Sequence, residues 1–192
     1  MDPKFNLQKY VVRKQILSLV GAKIDIFDMD ERPIMFSKMK AFKLKEDIRI
    51  FGDDTMQEEL ISIQARSIID FSSVFDVVDV GTGQRIGALQ RKGMKSLFKD
   101  EWAILSPNDM EIGLIKEDNA LLALLRRFLT NLIPQHYYAE MYGTKVAEFK
   151  QNFNPFVQKL DLDFSRDHNN QLDRRLGLAA AILLTAVEGK QG

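Results

Sequence analysis

The sequence predicts a mostly-β fold, an antiparallel sheet closed into a barrel around a buried apolar helix near the C-terminus, with one amphipathic helix near 119–133. Three observations carry this. Most of the chain alternates apolar and polar residues with a period of two, the signature of half-buried strands. Turn-forming residues punctuate the alternation at intervals of about 8–12 residues, as in sandwiches and barrels. The stretch 176–187 is apolar around its whole circumference, with Thr185 as its polar residue. A helix of that kind is buried on every side.

Composition bounds the rest. A chain of 192 residues fits one domain, 1–192, and buries enough surface to need no covalent staples. Lys plus Arg (27) equals Asp plus Glu (27), so the formal net charge is zero. That balance argues against a dedicated nucleic-acid binder, which carries a basic excess. The absence of cysteine excludes disulfides, thiolate metal sites, Cys nucleophiles and S-palmitoylation. Residues 1–9 are polar and carry no apolar leader core, and no run reaches the ~18 apolar residues of a membrane span. A cytoplasmic protein, peripheral to a membrane at most, is expected.

The strands follow from parity. Ile24 and Ile26 alternate with Lys23 and Asp25, Phe42 and Leu44 with Lys43 and Lys45, Ile48 and Ile50 with Arg49, and Ile61 and Ile63 with Ser62. Late in the chain Phe156, Leu160, Leu162 and Phe164 share one parity, and Lys159, Asp161 and Asp163 the other. Turns are expected at 28–33, at Gly52, Asp53 and Asp54, at 79–84 as a hairpin, and at 106–109. Strands are expected at 74–80, 85–89, 102–105 and 111–115. The lack of strand–helix alternation argues against a parallel sheet.

Two helices interrupt the pattern. The first runs from 119 to 133, capped by Asp118 or Asn119 and stopped by Pro134. Its leucines, Phe128 and Ile133 fill one half of the circumference, while Arg126, Arg127, Thr130 and Asn131 fill the other. The second runs from about 170 to 188. Its apolar core is too short to span a bilayer. A closed sheet wrapped around it satisfies its burial and removes open strand edges. Gly177 and Ala179, Ala180 and Ala181 keep it thin where the wall is close.

Tyr10, Val11, Val12, Arg13 and Lys14 open the ordered pattern, followed by Ala22, Lys23, Ile24, Asp25, Ile26, Phe27 and Asp28. Many short strands come next. Leu160, Asp161, Leu162, Asp163 and Phe164 then lead into the apolar helix from Leu172. In this layout, from about Tyr10 to Glu188, the chain resembles the LURP-one-related proteins, and more distantly phospholipid scramblases and the tubby C-terminal domain. The resemblance implies a twelve-stranded antiparallel barrel around a central hydrophobic helix. It also implies a lipid-associated role: tubby-like domains bind phosphoinositides and scramblases are associated with calcium-dependent lipid movement. The chain departs from the scramblases in lacking their cysteine cluster, and the region 161–167 fits their acidic calcium segment poorly. The helix at 119–133 looks like an insertion.

Asp161, Asp163 and Asp167 supply oxygen ligands suited to calcium. However, an EF-hand loop starting at Asp161 has Arg166 at its glycine position and Leu172 at its bidentate glutamate position, and on a strand Asp161 and Asp163 are simply the solvent-facing set, while Asp167 belongs to the polar turn 166–170. His136 and His168 lack the further ligands of a zinc site, and no Gly-x-Ser-x-Gly elbow is present. Gly81 and Gly83 lack the Gly-Lys-Ser/Thr of a phosphate loop and read as a hairpin turn.

Arg91, Lys92, Lys95 and Lys99 lie close to Leu97, Phe98 and Trp102, which suits an anionic lipid surface, although Asp100 and Glu101 dilute the charge. Arg126 and Arg127, on a helix with a wide apolar face, suit a membrane interface; the same helix equally suits a packed barrel end or a contact with a second copy. The expectation is a non-enzymatic, cofactor-free, lipid-associated module whose partner is an anionic phospholipid surface. The alternative is a protein-interaction or scaffold domain, as a homodimer for instance.

Overall fold

The computed structural model describes residues 2–15, 22–39, 48–66, 73–92, 101–118, 135–152 and 157–187. Twelve antiparallel strands form a closed barrel. In chain order they are β1 (Lys9–Gln15), β2 (Ala22–Phe27), β3 (Pro33–Met39), β4 (Ile48–Phe51), β5 (Glu59–Ala65), β6 (Val74–Asp79), β7 (Arg85–Lys92), β8 (Glu101–Leu105), β9 (Glu111–Glu117), β10 (His136–Met141), β11 (Thr144–Asn152) and β12 (Val157–Asp163). Each strand pairs with its sequence neighbours, and β1 closes the ring by pairing with β12 from Lys9↔Asp163 to Gln15↔Val157. A helix, α1 (Arg174–Val187), follows β12. The sequence-predicted helix at 119–133 and the run around Phe42 and Leu44 lie outside the described residues.

The apolar set predicted from the period-two parity is buried in β2, β4, β5 and β12, but the opposite parity is not always in solvent: Ser62 is buried too, and Ala88, Ala103 and Leu105 on β7 and β8 form a second, smaller buried cluster. Ile24, Ile26, Ile48, Ile50, Ile61, Ile63, Leu160 and Leu162 are all buried. Their register partners share the inner face: Ile48 opposes Ile63, Ile63 opposes Val77 and Val12 opposes Leu160. All of these belong to one core with the side chains of α1, from Leu176 to Ala186. Burying Leu176, Leu178, Ile182, Leu183 and Leu184 contributes on the order of 10 kcal/mol, at ~1.5–3 kcal/mol each.

Small residues let the helix fit. A Cβ added at Gly177 would lie 2.3 Å from Cζ of Phe164, and one at Gly87 would lie 2.4 Å from the carbonyl oxygen of Leu105 and 3.1 Å from Leu176. Phe164 is fixed in turn by an edge-on contact with Tyr10, with ring centroids 6.1 Å apart. It also lies under the Arg174 guanidinium, 4.3 Å from the ring centre.

The helix starts at Arg174, about four residues later than expected, because the preceding loop is held by its own side chains. Asp167 accepts hydrogen bonds from the backbone N–H of Gln171 (2.8 Å) and Leu172 (3.1 Å) and pairs with Arg174 at 2.6 Å. Asp173 caps the helix by accepting from the N–H of Arg175 (2.9 Å). Two arginines at a helix N-terminus oppose the helix dipole. Asp167, Asp173 and Asp79 compensate, the last pairing with Arg175 at 2.5 Å. At the far end Lys14 donates to the Thr185 carbonyl (3.2 Å), where a cation is favoured. The helix therefore gives the barrel a direction. One end holds the start of α1 and the turns 28–32, 52–58, 80–84, 106–110 and 142–143. The other holds the end of α1, with β1, β3, β5, β7, β9 and β11 finishing there.

Candidate functional site

The lumen is occupied by α1, which leaves the outer wall and the two ends as the exposed surfaces of the described residues. The end at which α1 finishes carries a cationic row set by sheet register. Lys23 on β2 lies directly opposite Lys38 on β3, and Lys38 lies directly opposite Arg49 on β4. All three occupy outward positions, between the buried pairs Ile24/Ser37 and Ile48/Ile50. Like charges directly opposite across strands repel, and each such pair costs a few tenths of a kcal/mol or more, up to ~1 kcal/mol. Arg49 is partly neutralised by Glu59 at 2.5 Å. Lys23 and Lys38 are exposed, and neither side chain has an ion pair or hydrogen bond among the described residues.

The basic-aromatic run of the sequence is divided by the wall. Arg91 and Lys92 end β7, with Arg91 opposite Trp102 and Lys92 opposite Glu101. Trp102 is 2% exposed and packs on Phe75, ring centroids 5.9 Å apart. Its indole thus lies inside the barrel and is not available on the surface beside Lys92, where the sequence reading placed it. Parity explains the difference: Trp102 and Ile104 share the inward face, and local sequence gave no hint of which face β8 turns inward. Lys92 pairs with Glu101 (3.3 Å) and Glu111 (3.1 Å). Burial lowers the Lys92 pKa and these two carboxylates raise it further, leaving it raised. Lys95, Lys99, Arg126 and Arg127 lie outside the described residues.

The calcium candidates each have partners of their own. Asp163 pairs with Lys9 at 2.9 Å and accepts from the Ser165 N–H (2.7 Å). Burial raises its pKa, but those contacts outweigh burial and hold it below the usual value. Asp161 accepts from the Asn152 amide (2.7 Å) and lies 3.4 Å from Lys159. Asp167 is buried against Arg174. No cluster of three or more metal-binding side chains occurs among the described residues. His168 is exposed in the loop before α1. His136 lies on the outer wall, Nδ1 3.4 Å from Asp118 and Nε2 3.9 Å from Glu148. Gly83 occupies the left-handed region (φ +67°) in the turn between β6 and β7, as a hairpin glycine does.

A second charged group spans the outer wall of β5 to β9. Arg66 grips Asp76 (2.7 Å) and Asp109 (2.5 Å), while Arg85 contacts Asp76 (2.7 Å), Asp109 and the Pro107 carbonyl (2.6 Å). The hydrogen bonds from Arg66 and then Arg85 hold the Asp109 carboxyl down at about 2. The four side chains satisfy one another and staple the 106–110 turn onto the sheet.

No protein-family model and no curated protein matches the chain at a significant level. Among solved structures, the X-ray structure of a protein from Arabidopsis thaliana matches it with a TM-score of 0.52 and 13% sequence identity, over 96% of this chain and 94% of that one. The two chains share a fold. At that identity the likeness carries architecture alone, because unrelated functions sit on common folds. No helix among the described residues is long and apolar enough to cross a membrane.

The cationic row escaped sequence reading because Lys23, Lys38 and Arg49 are far apart in the chain. Only the β2–β3 and β3–β4 registers bring them together.

Proposed function

We propose that this chain is a LURP-one-related, tubby-C-terminal-like domain, a non-enzymatic module that associates with an anionic phospholipid surface through the barrel end at which α1 finishes. The observation that carries the reading is the row Lys23–Lys38–Arg49: cations on adjacent strands, mutually repulsive, with neither lysine in an ion pair with a described side chain and Lys23 balanced only in part by the charge of Asp25. A sheet tolerates such a row at a cost. An anionic surface returns ~1 kcal/mol per basic residue that reaches it. Arg91 and Lys92 border the same end. Lys95, Lys99, Arg126 and Arg127 keep their place in the proposal as sequence-predicted contacts. The filled lumen supports surface recognition over carriage of a ligand inside the barrel.

Co-sedimentation with phosphatidylcholine vesicles, with and without phosphatidylserine, tests the reading at low and physiological salt. The wild type is expected to pellet with the anionic vesicles and to release as salt rises. The variant Lys23→Glu, Lys38→Glu is expected to bind roughly thirtyfold more weakly, from ~1 kcal/mol lost at each lysine. Wild type that stays in the supernatant with anionic vesicles at low salt refutes the proposal. Arg126→Glu, Arg127→Glu tests the sequence-predicted helix in parallel.

A further inference from the structure

The opposite end of the barrel has a different chemistry. Each hairpin turn there exposes one large apolar side chain: Met29 between β2 and β3, Met56 between β4 and β5, Val80 between β6 and β7, Met110 between β8 and β9, and Tyr142 between β10 and β11. These are the large apolar side chains exposed among the described residues, and all belong to this one end. Met29 and Met110 are 61% exposed and Tyr142 is 76% exposed. Isolated apolar side chains on a surface are ordinary. One on every turn of one rim is a pattern.

The backbone makes the pattern costly. Tyr142 (φ 50°) and Gly143 (φ 83°) form a two-residue turn between the paired Met141 and Thr144. With both residues left-handed, Asn-Gly is the favoured sequence for such a turn. Met56 is also left-handed, with φ 58°. Folding alone gains nothing from an exposed tyrosine or methionine at those positions, where asparagine or glycine is less strained.

Around the tips at Met29 and Met56 the charged side chains are mostly acidic, with Arg32 and Lys4 as the cations among them, while Asp109 beside Met110 is held by Arg66 and Arg85. Asp28, Asp30 and Glu31 flank Met29, Asp53, Asp54 and Glu58 flank Met56, and Asp109 precedes Met110. Arg32 answers Asp28 and Asp30, and Arg13 answers Glu31 at 2.6 Å. Asp54 and Glu58 have no ion pair among the described residues. Asp25, on β2, has its pKa raised by its own burial and then by the charge of Asp54.

We propose that this rim docks a basic, amphipathic segment of a partner protein. Met29, Met56, Met110 and Tyr142 make the apolar contacts, and the acidic turns 28–31 and 53–58 supply the charge complement. Thioether side chains are flexible and polarizable, which suits a surface that moulds itself to an apolar helix face. A second copy of this chain is the poorer occupant, because a symmetric contact through this rim sets acid against acid. The proposal uses the end remote from the lipid-facing one and stands without the lipid reading.

The test follows the ε-methyl NMR signals of the eight methionines while a synthetic Lys/Leu amphipathic peptide is added. The expected result is that Met29, Met56 and Met110 shift while the buried Met35 and Met141 stay. The variant Met29→Ser, Met110→Ser, Tyr142→Asn keeps every charge, and its affinity is expected to fall by at least roughly tenfold. Equal affinity of the variant, or of a poly-lysine peptide for the wild type, reduces the rim to an acidic surface and overturns the proposal. So does silence of the three exposed methyls. Shifts that depend on protein concentration without peptide, with a dimer in light scattering, overturn it in favour of a contact between copies. The wild-type methyl map decides the matter even if the variant folds poorly.

Discussion

Replacing Gly177 with alanine is expected to destabilise the barrel, reversing the usual effect of that substitution inside a helix. Helix propensity alone favours alanine by ~0.8–1.0 kcal/mol. Against it, the new Cβ would stand 2.3 Å from Cζ and 2.6 Å from Cε1 of Phe164. Carbon atoms in contact prefer ~3.5–4.0 Å, so helix and ring must part by about 1 Å or more. The ring has little room to retreat, since Phe164 is fully buried between the edge of Tyr10 and the guanidinium of Arg174. Overpacking of this kind costs ~1–3 kcal/mol and occasionally more. A separation that large places the cost in the upper half of that range, ~2–3 kcal/mol, so the net loss is about 1–2 kcal/mol, a fall in Tm of roughly 2–8 °C for a chain of this size. Urea and thermal unfolding of Gly177→Ala measure it. The same substitution in a Phe164→Leu background, where the ring is gone, is expected to be neutral or stabilising. An alanine variant as stable as the wild type, or one equally destabilised in both backgrounds, would refute the reasoning.

Two further predictions concern the end where α1 begins and the wall beside it. Asp167→Ala leaves the buried Arg174 guanidinium without its carboxylate and two backbone N–H groups without their acceptor, and is expected to cost ~3–5 kcal/mol in urea unfolding. A cost below ~1 kcal/mol would show that the pair is dispensable. Asp109 is held at about 2 by Arg66 and Arg85, so its folded-state pKa lies below its unfolded value. Its contribution to stability is therefore complete above the unfolded carboxylate pKa of ~3.9 and is lost as pH falls through the folded value. Asp109→Asn is expected to be less stable than the wild type at neutral pH, with the gap closing between roughly pH 4 and 2; a gap that is constant across that window contradicts the assignment.

The legible and the illegible parts of this molecule separate by the range of the interactions involved. Alternation at Ile24 and Ile26, Ile61 and Ile63, and Leu160 and Leu162 reports which face each strand buries, and every one of these residues lies in the core. The all-apolar stretch 176–187 announces a helix needing cover on all sides, and the closed barrel supplies it. By contrast, Trp102 beside Arg91 and Lys92 looked like a surface anchor, because proximity in sequence does not say on which side of a sheet a residue falls. Asp167 read as a calcium-ligand candidate; its partner Arg174 lies seven positions away, and only the fold of the loop between them buries the pair.

By itself, then, the sequence determined the element types, the buried faces and the need for a closed wall, because these depend on local periodicity and on the cost of leaving an apolar helix in water. Only the tertiary structure decided the strand registers, and with them the Lys23–Lys38–Arg49 row at one end and the single acidic, methionine-tipped rim at the other. Those features join residues separated along the chain by whole strands, and a pairing set by hydrogen bonds across the sheet leaves no mark on local composition.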